Sequence, residues 1–289
     1  MRPTSLRRKL SDLTDIRVGH FWRGGSPYPV AVASGKGGTG KSVFATNLAF
    51  ALTKRSRRVL LVDADFGLGN VHLLFGISPS ANIYDLLEGQ MTIRELVHSY
   101  DGVKFIPGSP GVTELASLTD SQLLTFGSQL EALENETDIV IFDNSSGLNR
   151  HTLHILLACR EVIVVTTPDI TAITDAYALI KAISHRDSSL RIGLVLNRAK
   201  DGSQARAIFD NIHRTTLRFL KKRIAYYGHV FDDEHVTLAT MEKRPVVASY
   251  PLSPSGRCLL EIAGKFSWAP DGDINFSKRL KQLLDSSKK

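Results

Sequence analysis

The chain has 289 residues, 43% of them hydrophobic and 22% charged, which suits one α/β domain with a full-sized core plus short extensions. Its two cysteines, Cys159 and Cys258, lie far apart in apolar surroundings, which excludes metal-type spacing and marks both as reduced core residues. No apolar run approaches the ~20 residues of a membrane span, and the N-terminus lacks the apolar stretch of a secretory signal, so a cytosolic protein is expected.

The net charge of +7 is unevenly spread: residues 1–30 hold six Lys/Arg and two Asp, and residues 271–289 hold five Lys/Arg and three Asp. Such basic tails suit anionic lipid, nucleic acid or an acidic protein, or stay solvated. Three segments are therefore expected, a basic leader over 1–27, a main domain over 28–268, and a linker with a terminal helix over 269–289. Within the leader, Leu6, Leu10 and Leu13 fall at helical spacing beside Arg7, Arg8 and Lys9.

Val30 to Ala33 is a short β-type run, and Ser42 to Lys54 is an apolar-periodic helix. Between them Gly35-Lys36-Gly37-Gly38-Thr39-Gly40-Lys41-Ser42 matches G-x-x-x-x-G-K-[ST], in which backbone N–H groups cradle phosphates, the lysine neutralises them and the hydroxyl reaches Mg²⁺. The helix start adds its positive dipole end. Further strands are predicted at Val59–Val62, Val103–Ile106, Asp138–Phe142, Val162–Thr166, Ile192–Leu196 and Ala225–Val230. Helical periods fall at Ser121–Leu133, Thr152–Cys159, Thr171–Ser184 and Ser203–Leu220. This alternation predicts an α/β fold, a doubly wound, mostly parallel sheet flanked by helices, with ligands at the carboxyl ends of the strands.

Those ends carry the chemistry. Val62 is followed by Asp63-Ala64-Asp65, and Phe142 by Asp143, with Gly147 four residues on. An apolar strand ending in Asp supplies the Mg²⁺-side carboxylate of phosphate-loop proteins, although such an Asp also serves as a turn or helix cap. Last in the chain, Phe276, Leu280, Leu283 and Leu284 line one face of a helix flanked by Lys278, Arg279 and Lys281. Two readings stay open for it: an interfacial membrane helix, or a helix docking its apolar face on the core.

The loop with its extra Lys36, the run Asp63-Ala64-Asp65-Phe66-Gly67-Leu68-Gly69-Asn70-Val71, and Asp143-Asn144-Ser145-Ser146-Gly147 resemble the deviant Walker A ATPases of the MinD/ParA class. Within that class, Val164 to Lys181, Arg244-Pro245-Val246 and Tyr250-Pro251-Leu252-Ser253-Pro254 resemble the FlhG (FleN, YlxH) type that regulates flagellar number and placement. The resemblance spans about residues 28–268. It implies a slow ATPase whose ATP-bound form is a homodimer. Lys36 then crosses to the partner's phosphates, Lys41 holds those of its own subunit, and Asp65 orients the attacking water. Mg²⁺ falls to Ser42, Asp63 and Asp143. Asn197 reads adenine, and Arg198 lies near the base or ribose, while Asp169 faces the partner's nucleotide. Asn197-Arg198-Ala199-Lys200 is not the Asn-Lys-x-Asp of GTPases, which favours ATP.

The chain departs from the class in its second switch, which reads Asn144-Ser145-Ser146-Gly147 rather than a Thr-Pro-Ala-Gly type, and in two further places. Val230-Phe231-Asp232-Asp233 stands where relatives place a proline against the base, so Phe231 is a candidate to stack on adenine, although an aromatic at a strand end also serves as core. The leader lacks the Asp-Gln-Ala-x-x-Leu-Arg motif with which FlhG-type proteins activate an FlhF-type GTPase. The class also places a membrane-targeting sequence where Phe276–Leu284 lies. The expected function is an ATP switch at the membrane that controls flagella, with a flagellar switch protein or transcription regulator as partner. The alternative is a ParA-like partition ATPase binding DNA, against which the near-neutral central region and the terminal helix count.

Overall fold

The computed structural model describes residues 26–109, 118–266 and 275–286. Most of the leader (1–25), including Leu6, Leu10 and Leu13, and the 269–274 linker lie outside the described residues.

Eight strands form one sheet: β1 (Tyr28–Ala33), β2 (Val59–Ala64), β3 (His98–Tyr100), β4 (Val103–Ile106), β5 (Ile139–Asn144), β6 (Glu161–Thr166), β7 (Arg191–Ala199) and β8 (Ala225–Phe231). They run in the order β3-β4-β2-β5-β1-β6-β7-β8, parallel except for β3 against β4. The order reverses on either side of β1, so the crevice for a ligand opens there.

Strand alternation builds two cores. Ala31, Leu60, Val62 and Phe142 point to one face, and Val30, Val32, Leu61 and Ile141 to the other. The second face is covered by α1 (Lys41–Lys54) and, further along the chain, by Pro254–Gly264. The short helices α2 (Val71–Leu74), α3 (Ile83–Leu87) and α4 (Ile93–Leu96) follow β2. The first face carries α5 (Asp120–Leu130), α6 (Arg150–Ala158), α7 (Ile170–Arg186) and α8 (Gly202–Leu220). After β8 come α9 (Glu234–Met241), α10 (Val246–Ser249), α11 (Pro254–Gly264) and α12 (Phe276–Ser286). Cys159 and Cys258 are buried free thiols, as expected.

The terminal helix decides between its two readings for this structure. α12 packs across α5 and α6, with Phe276 stacked on Phe142 at 4.4 Å between ring centroids. Leu280 and Leu284 are fully buried, and Leu283 packs at the margin. Leu280 sits over Gly127, where an added Cβ would lie 3.1 Å from its Cδ2. Arg279 pairs with Asp187 at the end of α7, and Asn275 donates to Glu134. The four residues expected to reach lipid thus face the protein here. The amphipathic face forms as expected, but its partner in this structure is the core.

Candidate nucleotide site

β1 ends at Ala33 and the chain turns through residues 34–40 before α1 begins at Lys41. The turn needs glycine at two kinds of place. Gly40 has φ +84° and an added Cβ would lie 2.2 Å from Asn197 Nδ2, while a Cβ on Gly35 would lie 2.3 Å from the Asp175 carbonyl oxygen of α7. Asn197 Nδ2 donates to the Thr39 carbonyl at 2.8 Å, which ties the end of β7 to the loop. Thr39 Oγ1 is buried without a hydrogen-bond partner among the described residues, and Thr39 lines the cavity beside the loop. A helix start, a glycine cradle and an unsatisfied hydroxyl together fit phosphate oxygens.

Lys41 is buried, and its Nζ donates to Asp143 Oδ1 at 2.6 Å and to Ser42 Oγ at 3.3 Å. Asp63 and Asp143 sit side by side in parallel register on β2 and β5, both buried. Burial first, and then the Asp143 charge, push the Asp63 carboxyl up to about 7, against the Val71 N–H bond and Lys41. Two crowded carboxylates and the Ser42 hydroxyl form an all-oxygen donor set with one compensating cation. Mg²⁺ takes such ligands together with waters and phosphate oxygens, so the residues present fit it. Bound there, the ion would neutralise phosphate charge and relieve the Asp63–Asp143 repulsion, freeing Lys41 for phosphate.

Asp63 Oδ2 accepts from the Val71 N–H at 2.9 Å, which anchors α2, and its Oδ1 accepts from the Asp65 N–H at 3.3 Å. Asp65 lies on the rim of a cavity of about 280 Å³ with Ser146, Asn149, His151 and Thr152. Its carboxyl is raised above the ordinary range, mainly by burial, with Lys41 opposing. Across the loop a larger cavity, about 680 Å³, is lined by Lys36, Gly37, Gly38, Thr39, Asp169 and Arg198 among others. Arg198 adopts a left-handed backbone, φ 56°, at that rim.

Two of the expected site residues make contacts that the sequence did not indicate. Lys36, expected to reach a partner, is held within its own subunit: its Nζ donates to Asp169 Oδ2 at 2.8 Å and to Thr171 Oγ1 at 2.6 Å. Phe231 does not border the nucleotide cavity. It lines a separate groove of about 730 Å³ between β8 and α11, with its ring edge-on to His229, whereas the next residue, Asp232, borders the nucleotide cavity. β8 ends at Phe231, and Asp232 lies in the segment that leaves it beside the cavity.

Reading the sequence missed Thr167, Pro168, Lys200, Gln204 and Asp232 as cavity-lining residues. The available signal was positional, since each follows the carboxyl end of β6, β7 or β8.

A family model described as an AAA domain matches residues 29–195. The chain is 33% identical to "Antiactivator FleN" of Pseudomonas aeruginosa over 87% of this chain and 93% of that protein. It is 32% identical to "Flagellum site-determining protein YlxH" of Helicobacter pylori over 83% of this chain and 82% of that protein. Among solved structures, the septum site-determining protein MinD of Pyrococcus horikoshii, complexed with Mg-ADP, superposes with a TM-score of 0.69 at 24% identity, covering 82% of this chain and 94% of that one.

Proposed function

The chain belongs to the MinD/ParA-type P-loop ATPases, hydrolysing ATP with Mg²⁺, and from this we propose that it is a dimerising switch that controls the number or placement of flagella through nucleotide-dependent membrane and partner binding. The relative named "Flagellum site-determining protein YlxH", matching over more than four-fifths of both chains, supports the flagellar part, and the similarity to "Antiactivator FleN" is compatible with it.

The observation that carries the switch is the path from phosphate loop to terminal helix. The Gly147 N–H donates to the Ser34 carbonyl at 3.0 Å, coupling the segment after Asp143 to the phosphate loop. Asn149 caps α6 two residues later, accepting from the Thr152 N–H at 2.7 Å. α6 is one of the two helices on which α12 rests. A shift of residues 143–149 toward bound ATP and Mg²⁺ therefore moves the seat of α12. Released, the helix presents Phe276, Leu280, Leu283 and Leu284 to a membrane between Lys278 and Lys281. One such helix binds lipid weakly, and two joined by dimerisation bind through avidity. Lys36 then leaves Asp169 for the partner's phosphates, and Asp65 positions the attacking water.

Deletion of the gene in its own host tests the biological output. Altered flagellar number or position, restored by the wild-type copy and not by Asp65→Ala, supports the reading. Normal flagella together with faulty partition of plasmids or other cargo would replace it with the partition alternative.

A further inference from the structure

The near-neutral sum of the central region conceals a strongly basic end. Residues 181–191 and 210–223 carry eight Lys/Arg against two Asp, and both aspartates are already engaged, Asp187 by Arg279 and Asp210 by Arg206. These stretches are the carboxyl-terminal parts of α7 and α8 with the segments that follow, at the end of the sheet opposite the phosphate loop. The run Leu217-Arg218-Phe219-Leu220-Lys221-Lys222-Arg223 closes α8 there. Arg214, Arg218, Lys221 and Arg223 are exposed, and among them Phe219 is 64% exposed, with the Arg218 guanidinium 5.1 Å from its ring centroid. Lys222 is turned inward, donating to the Ser188 carbonyl at 2.6 Å and to that of Leu190, which fixes the tip on the body.

We propose that this tip, Arg214–Arg223, is a second and permanently exposed membrane contact, taking anionic phospholipid headgroups on Arg214, Arg218, Lys221 and Arg223 and seating Phe219 at the acyl boundary. The proposal rests on the reading of the chain as a membrane-visiting switch. Cations alone would suit any polyanion, but a nucleic-acid duplex keeps its bases stacked inside and offers no apolar layer for an outward phenylalanine, whereas a lipid interface rewards it. Continuity with α12 supports the same occupant. The turn at Asp187–Leu190 is gripped from one side by Arg279 of α12 and from the other by Lys222, so tip and helix lie at one edge of the molecule. The tip would hold the docked form weakly at the membrane, where a released helix finds lipid without a fresh search.

The test is co-sedimentation of the full chain in ADP with vesicles of phosphatidylcholine alone or mixed with phosphatidylglycerol, comparing wild type, Phe219→Ser, and Arg218→Glu with Arg223→Glu. All three side chains are solvent-facing, and thermal melts check that the fold persists. The expected result is binding that requires phosphatidylglycerol, falls at least about fivefold in the charge variant, and falls severalfold in Phe219→Ser. Wild-type binding by both variants overturns the proposal. An effect of the charge variant without one of Phe219→Ser also overturns it, leaving a general polyanion surface with no seated ring, and equal competition by short duplex DNA overturns it and gives the surface to nucleic acid. The ATP-over-ADP gain reads the release of α12 separately: its absence would remove that reading while leaving the ADP comparison of the tip intact.

Discussion

The ammonium of Lys36 lies 2.8 Å from Asp169 Oδ2, so the lysine proposed to cross an ATP-bound dimer is held in this structure by the cap of its own α7. The pair is exposed, and exposed pairs are readily surrendered. Lys36→Ala should leave nucleotide affinity within about threefold while abolishing the ATP-dependent dimer, because the phosphates keep Lys41. Asp169→Asn should strengthen that dimer by about two- to fivefold. Light scattering after size exclusion, in ATP and ADP, measures both; a Lys36→Ala protein that dimerises normally removes the trans role.

Lys41 and Asp143 behave differently because both are buried. Removing the lysine leaves Asp143 beside Asp63 with no cation, and breaking a buried pair from one side costs about 3–5 kcal/mol. Lys41→Ala should therefore lose nucleotide and also melt well below wild type. Asp65→Ala should keep nucleotide, accumulate dimer and hydrolyse little. A Lys41→Ala protein of unchanged stability would show that the pair is incidental.

Asn197 and Phe231 are separated by the same logic. Asn197 touches the loop, so Asn197→Ala should weaken ATP at least about tenfold, combining a lost base contact with a lost bond to Thr39. Phe231→Ala should leave ATP affinity unchanged, since its ring lies in the β8–α11 groove. Calorimetric titration with ATP decides, and a large loss in Phe231→Ala would restore the stacking role.

The Arg279–Asp187 pair latches α12. Burial raises the Asp187 carboxyl, but the Ser189 hydroxyl and N–H and the Arg279 charge outweigh it and hold it below the ordinary range. A depressed carboxylate contributes stability above its unfolded value and loses it as pH falls through the folded one. The latch should thus hold unchanged from pH 8 to about 5 and fail only in stronger acid. Asp187→Asn should loosen α12 at neutral pH, seen as faster hydrogen exchange over 276–286; unchanged exchange would assign the hold to Phe276, Leu280 and Leu284 alone.

The long strands were legible because a parallel strand covered on both faces is a near-continuous apolar run, as Val59–Val62 and Val162–Thr166 are. Asp63, Asp143 and the phosphate loop were legible because strand ends and glycine turns have fixed places. The three residues of β3 and the four or five each of α2, α3 and α4 are too short to display a period. Phe231 lines the β8–α11 groove while Asp232 borders the nucleotide cavity, a difference between chain neighbours that a strand end in the sequence does not declare. The face of α12 could not name its own partner, since three or four apolar residues at helical spacing suit a core and a lipid equally. Charge summed over 240 residues hid the basic tip of α8, which only the packing of α7 beside α8 assembles.

In the proposed switch, ATP exchanges the core for the membrane as the partner of α12. Co-sedimentation of the Asp65→Ala protein with anionic vesicles in ATP and in ADP, beside the same protein carrying Lys278→Glu and Lys281→Glu, tests it most directly. Strong pelleting in ATP, much weaker pelleting in ADP, and loss of the ATP-dependent gain in the helix variant are expected. Equal pelleting in both nucleotides, or a gain that survives the helix variant unchanged, would contradict it.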